Sequence, residues 1–259
     1  MTQQMYEVGL EPKVILAQAS GDLSVRGWER RTISFETDGR VSELQQEGNA
    51  LVIIDCDGDV ALQVPTDTDI RVTSLSGDVS IEDVRRVELK DIGGDVELKD
   101  IGADVNLENI GSTVELVNLA ADLHVTNTPA LRSHGGIGGD ASLENVTHVE
   151  LESIGADLSL EHTQSAVIGT VGADLDVEDI AETLRCGNIG GDCQVQGSTQ
   201  TEITLGNVGG DMESSSAANV QMGSVGGDCS LHDVTGIVEV GNVGGDASVC
   251  LLYTSPSPR

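Results

Sequence analysis

Apolar and polar positions alternate along this chain in short runs, and the runs repeat. From Gly93 to Thr128 four nine-residue segments follow one another: GGDVELKDI, GADVNLENI, GSTVELVNL and AADLHVTNT. In the first three the fourth, sixth and ninth places are apolar: Val96, Leu98, Ile101; Val105, Leu107, Ile110; Val114, Leu116, Leu119. The fourth and sixth places alternate as on a strand with one buried face. The ninth lies three further on, so it faces inward only if the chain bends before it. Intervals of two, three and four do not keep to one helical face, which argues against a helix. The glycine pair that follows is expected to serve the bend, because glycine takes positive φ at little steric cost.

A longer period is set by aspartates. Asp104, Asp122, Asp140, Asp157, Asp174, Asp192, Asp211, Asp228 and Asp246 recur at nearly even intervals, one for every two segments. Asp59, Asp78 and Asp95 lie half a period out of phase, so the Gly-Asp turn changes side between Asp95 and Asp104. Self-similarity at a fixed period marks a repeat architecture, and here the unit of about 18 residues reads as strand, corner, strand, corner. One unit cannot bury its apolar side alone. Stacked at ~4.8 Å, such units bury continuous ladders of Val, Ile and Leu. The expected fold is all-β, a single-stranded parallel β-solenoid with about nine coils from Asp78 to Asp246, roughly 45 Å of stack. Residues 1–72 hold strand-like but irregular runs (KVILAQA, DLSVRGW, RTISFET, ALVIID, IRVTSL) and are expected to form a β cap grading into the first coils. Residues 73–249 are the expected repeats.

Composition narrows the partners. Aromatic residues are only 2%, and none lies between Phe35 and Tyr253, so the core there is aliphatic. The net charge is −31, with 44 acids against 13 bases, and Arg185 is the only base from Ser133 to Val249. Such a surface repels phosphate backbones and anionic lipid, so neither nucleic acid nor a membrane surface is an expected partner. The N-terminus lacks a secretory pattern and no run approaches ~18 apolar residues, so no membrane span is expected and the expected compartment is the cytoplasm. The cysteines (Cys56, Cys186, Cys193, Cys229, Cys250) include no CxxC pair; Cys193 and Cys229 take apolar places in the repeat and read as small buried hydrophobes.

The order SGDLSVRGWERRTISFETDG, LQQEGNALVIID, VALQVPTDTDIRVTSLSGDVSIEDV and then Gly-Gly-Asp units resembles a bacterial family of adhesin-like β-solenoid proteins of unknown function, over roughly residues 7 to 249. The resemblance implies a right-handed solenoid and supplies no catalytic residue. The end of the chain departs from it. After Val249 the repeat requires two polar residues and an apolar corner residue, but Cys250, Leu251, Leu252 and Tyr253 follow. Residues 250–259 resemble translated sequencing-adapter read-through, which predicts a non-native tail on a truncated, aggregation-prone fragment.

No catalytic, cofactor-binding or metal-binding residue is assigned, and no cofactor is expected. The aspartate ladder is expected to cap corners through backbone N–H groups rather than bind cations, since each unit lacks a regular second acid. Asn188, Asn207 and Asn242, with Ser224 in register, are expected to form a stacked polar ladder. The Gly136, Gly138, Ala141 match to a dinucleotide fingerprint is discounted because a strand pattern follows it. His124, His134, His148, His162 and His232 have no ligand spacing. Outward places (Glu97, Asn106, Glu115, Ser142, Glu150, Ser159, Asp176, Gln194, Glu239) are polar and varied, as on a solvated face. The expected function is therefore a non-enzymatic scaffold or interaction protein, adhesin-like in character, with an unknown protein partner or self-association through solenoid ends. The alternatives are a self-assembling structural protein resembling the bactofilins and, ranked last, a polysaccharide-active enzyme, for which the body offers too few basic or aromatic groups.

Overall fold

The computed structural model describes residues 2–252. Among them are 26 strands and no helix. Parallel coils stack as a β-solenoid, each strand pairing with its equivalent two segments further on, as the periodicity predicts. Residues 253–259 of the expected non-native tail lie outside the described residues. The chain divides into two compact units, Met1–Gly139 and Asp140–Arg259.

The first unit contains β1 (Thr2–Glu7), β2 (Lys13–Ala19), β3 (Leu23–Trp28), β4 (Thr32–Thr37), β5 (Val41–Glu47), β6 (Ala50–Cys56) and β7 (Val60–Pro65). It continues through β8 (Asp69–Val72), β9 (Val79–Glu82), β10 (Arg86–Ile92), β11 (Val96–Ile101), β12 (Val105–Ile110), β13 (Thr113–Leu119) and the long β14 (Leu123–Ile137). Strands β8, β10, β12 and the start of β14 form one parallel ladder. Strands β9, β11, β13 and the end of β14 form the other. Register places Val87 on Val105 on Leu123, and Val96 on Val114 on Leu131, all buried. Each such side chain contributes about 1.5–3 kcal/mol through burial.

The bend is made by a different residue from the one expected. The glycine pairs that open the segments do not take positive φ. The eighth place of each segment does: Asp91, Asp100, Asn109, Asn118 and Asn127 have φ of 50°, 53°, 58°, 57° and 55°. Asp and Asn tolerate the left-handed region better than other side chains, and their polar ends are used here. Asn109 donates to Asp91 at 2.7 Å, Asn127 to Asn109 at 2.8 Å, and Asn118 to Asp100 at 2.9 Å. The glycines answer a space requirement instead. A Cβ on Gly94 would overlap the carboxylate of Asp78 and the backbone of Gly77.

At the N-terminal side of this unit, spatial order departs from chain order. Strands β2 and β3 lie between β6–β7 on one side and β8–β9 on the other, parallel to both. The link from Pro65 to Asp69 therefore steps past the β2–β3 coil. Thr68 fixes it, its N–H and hydroxyl both donating to the Pro65 carbonyl at 3.1 and 2.6 Å. Around it, Asp67 takes the Arg31 guanidinium at 2.6 Å, and Arg85 bridges Asp69 at 2.8 Å and Glu11 at 2.9 Å. The outer edges of β6 and β7 are covered by antiparallel β5 and β4, and β1 pairs antiparallel with β4. Such pairing satisfies the backbone groups that an open edge would expose.

The second unit contains β15 (Ala141–Ile154), β16 (Leu158–Glu161), β17 (Ser165–Val171), β18 (Leu175–Ile180), β19 (Thr183–Ile189) and β20 (Cys193–Gly197). Then come β21 (Glu202–Val208), β22 (Met212–Ala217), β23 (Asn219–Val225), β24 (Cys229–Val234), β25 (Val238–Val243) and β26 (Ala247–Leu251). One buried column runs Leu158, Leu175, Cys193, Met212, Cys229 at nearly even intervals along the chain, and exposed Ala247 continues its register. The longest interval, from Cys193 to Met212, is absorbed by a turn in which Thr201 Oγ1 accepts from the Ser198 N–H at 2.8 Å and donates to the Ile180 carbonyl at 2.8 Å. The two halves of each coil turn differently. Asn145, His162, Asp179, Ser216 and Asp233 have positive φ, as in the first unit. The other half uses Gly169, Gly187, Gly206, Gly223 and Gly241, where a Cβ would overlap the carbonyl of the preceding coil. Ile237, just before β25, is 65% exposed, and β26 leaves Val249 exposed at 47% and Leu251 at 37%.

Candidate functional site

The aspartate ladder forms as a chain of backbone bonds. In the second unit Asp157, Asp174, Asp192, Asp211, Asp228 and Asp246 each donate their N–H to the Oδ1 of the preceding aspartate, starting from Asp140, at 3.1, 3.0, 2.8, 2.8, 2.8 and 2.7 Å. Stacked carboxylates repel by about 1 kcal/mol per pair in water, while a hydrogen bond to a charged group contributes about 1.5–3 kcal/mol. The bonds outweigh the repulsion, which is the corner-capping role the sequence suggests.

In the first unit the ladder follows coil order, not chain order. Asp59 donates to Asp38 at 3.0 Å, Asp22 to Asp59 at 2.9 Å, Asp78 to Asp22 at 2.9 Å and Asp95 to Asp78 at 2.8 Å. It ends where Asp95 accepts from the Ser112 hydroxyl and from the Thr113 N–H at 3.0 Å. The Ser112 hydroxyl, helped by that N–H, holds the Asp95 carboxyl below its ordinary pKa. Asp104 precedes β12, on the other ladder from Asp95, so the acid column changes side where the sequence phase changes. Arg86 meets Asp104 there at 2.8 Å.

Beside this ladder lies a groove of about 630 Å³. Its shape follows from one outward column across β4, β7, β3, β9 and β11: Glu36, Ala61, Ser24, Ser80, Glu97. Three small side chains between two glutamates leave a trough. Asp38, Asp59, Asp22, Asp78 and Asp95 flank it. Among the described residues no Lys or Arg pairs with these acids, whereas further along the same strands Glu82 takes both Arg26 at 2.9 Å and Lys99 at 2.5 Å. Those two cations lower the Glu82 pKa, the Lys99 hydrogen bond most. Sequence reasoning missed this groove, because its column is out of chain order.

The other sequence candidates fall into place as structure. Asn207 donates to Asn188 at 3.0 Å and Ser224 to Asn207 at 2.7 Å, with Asn242 in register, so the expected polar ladder forms. The Gly136, Gly138, Ala141 stretch leads into strand β15. Cys56, Cys186, Cys193 and Cys229 are free and buried, and Cys250 is free and exposed. Burial pushes the Cys186 thiol up to about 12 and raises those of Cys193 and Cys229. His162 sits 3.3 Å from Asp179, and His148 shares a hydrogen bond with Ser165 at 2.8 Å. Of the outward residues named from sequence, all are exposed except half-buried Ser159. Among the described residues no group of three or more His, Cys, Asp or Glu is placed to hold a metal ion, and no helix is long and apolar enough to cross a membrane. No family model matches the chain, and no curated protein matches it in sequence.

Proposed function

We propose that this chain is a non-enzymatic interaction scaffold, adhesin-like in that its outward faces present side chains to a partner. The observation that carries the reading is the fixed lattice of those faces. Outward side chains stand in columns at strand spacing, over a core whose inward columns are filled by aliphatic groups. The columns vary in chemistry along the stack, which suits recognition of an extended partner. The net charge of −31 favours a basic or neutral protein over nucleic acid or anionic lipid. The free cysteines fit a reducing compartment. The test is binding of the purified chain to cell-surface, glycan and protein arrays. Failure to bind any of them counts against the scaffold reading, and turnover of a polysaccharide overturns its non-enzymatic part.

A second reading is self-association, as in a filament-forming solenoid. It is favoured by exposed Ile237, just before β25, and by Val249 and Leu251 on β26. Light scattering over a concentration series tests it; a monomer at high concentration sinks it.

A further inference from the structure

The groove between Glu36 and Glu97 joins two features that arise independently. Its floor is uncharged because Ala61, Ser24 and Ser80 follow one another on neighbouring strands. Its rim is anionic because the aspartate ladder runs alongside. The ladder bonds hold the Oδ1 atoms of Asp38, Asp59, Asp22 and Asp78 on backbone N–H groups, which fixes each carboxylate in place. The sheet balances its charge elsewhere, through Arg26, Glu82 and Lys99 on the same strands and through Lys90 and Glu108 at 2.8 Å. In the groove's own lining every charged residue is an acid, and Arg132 lines only the adjoining hollow, with Asp95, Glu97 and Glu115.

We propose that this groove docks an extended segment of a partner protein that carries lysine or arginine at alternate positions. The inference rests on the interaction-scaffold reading and names its partner class. Five aspartates at the corners beside neighbouring strands span roughly 19 Å at strand spacing. An extended chain repeats its same-side residues every ~6.8 Å, so about three cationic side chains reach the rim at once. A volume of about 630 Å³ lies in the range of sites that enclose a ligand, and small floor residues admit the backbone of such a segment. Charge complementarity selects the occupant: every charged lining residue is an acid.

A control is built into the molecule. Glu144, Glu161 and Glu178 stack on β15, β16 and β18 as another acidic column in the second unit, and they do not line this groove. The experiment titrates the full chain into a fluorescent nine-residue peptide with lysine at alternate positions, at ~0.15 M salt, with a glutamate peptide as reference. Saturable binding is expected for the lysine peptide alone. Glu36→Gln with Glu97→Gln is expected to raise Kd by about five-fold or more, whereas Glu144→Gln with Glu161→Gln changes it by less than about two-fold. Ala61→Trp, checked for an unchanged melting temperature, is expected to abolish binding by filling the floor; should it not fold, the glutamine variants decide. Absence of saturable binding overturns the inference, as does equal weakening by the second-unit pair, which would mark general attraction to a polyanion. An array partner that binds the Glu36→Gln, Glu97→Gln variant unchanged would overturn this inference and leave the scaffold reading standing.

Discussion

Gly191 packs so closely on Asp174 in the preceding coil that a Cβ at position 191 would overlap the Oδ1 of Asp174. That oxygen accepts the Asp192 N–H at 2.8 Å. Ala156 and Ala173 occupy the equivalent place in earlier coils, and the bonds that follow them measure 3.1 and 3.0 Å. After glycine in this unit they measure 2.7 to 2.8 Å. The glycine is therefore tied to the tightness of the ladder, while alanine is accommodated by a small shift. Gly191→Ala is expected to cost about 1 kcal/mol, the scale of one weakened hydrogen bond. Gly206→Ala is a different case, because its Cβ would meet the backbone carbonyl of Gly187. It is expected to cost about 3 kcal/mol or more. Urea denaturation of both variants compares them directly, and equal losses would refute the distinction.

Two buried hydroxyls are placed against their chemistry. Ser214 stacks between Val195 and Leu231 in an inward column, fully buried, and its Oγ has no hydrogen-bond partner among the described residues. Thr163 Oγ1 is buried and likewise without a hydrogen-bond partner among the described residues. A buried polar group without a hydrogen bond costs about 1–3 kcal/mol. Ser214→Ala and Thr163→Val remove the hydroxyl at nearly constant volume, and each is expected to stabilise the protein by about 1 kcal/mol. A fall in the denaturation midpoint of both variants would show that the hydroxyls are satisfied.

The solenoid was legible because its signal is redundant: every coil repeats the same inward places, so Val96, Val114 and Leu131 could be aligned before any pairing was known. Strands β2, β3, β4, β6 and β8 were also readable from their apolar alternation. Strands β1 and β5 were not, because TQQMYE and VSELQQE carry little of it and are held mainly by antiparallel pairing. The insertion of β2–β3 between later coils left no trace either. Coils that share one pattern stack in any order without misplacing an apolar side chain, so the pattern cannot specify the order. The groove was hidden for the same reason. Conformational freedom points to glycine for the bend, but in the first unit Asp91, Asp100, Asn109, Asn118 and Asn127 fill the eighth place, and Asp and Asn are the side chains that best tolerate left-handed backbone.

The cysteines provide a test of packing. Four are buried, and burial raises the thiols of Cys186, Cys193 and Cys229, which suppresses the reactive thiolate. Cys250 is exposed. A thiol reagent at pH 8 is expected to modify Cys250 rapidly in the native protein and the other four only after denaturation. Rapid native labelling of Cys193, located by peptide mass spectrometry, would mean that the coil interior opens.

Acid should loosen the first unit through two identified carboxylates. Asp95 is held below its ordinary pKa, first by the Ser112 hydroxyl and then by the Thr113 N–H. Asp67 is held below its own, first by its hydrogen bond from Arg31. A carboxyl whose folded pKa is depressed contributes stability in full above its unfolded pKa, near 4, and loses that contribution as pH falls through the folded value. Wild-type stability is therefore expected to fall below about pH 4. Ser112→Ala returns Asp95 toward its ordinary titration, and Arg31→Leu does the same for Asp67. Each variant is expected to be less stable than wild type at pH 7, by a margin that narrows as pH drops below about 4. The Arg31–Asp67 pair is open to solvent, with side chains 52% and 28% exposed, so salt should also narrow the Arg31 margin while leaving the Ser112 margin nearly unchanged. Melting temperatures across pH 2 to 7 at low and high salt measure both effects. A gap that stays constant with pH would show that neither carboxylate is stabilised by the contact named for it.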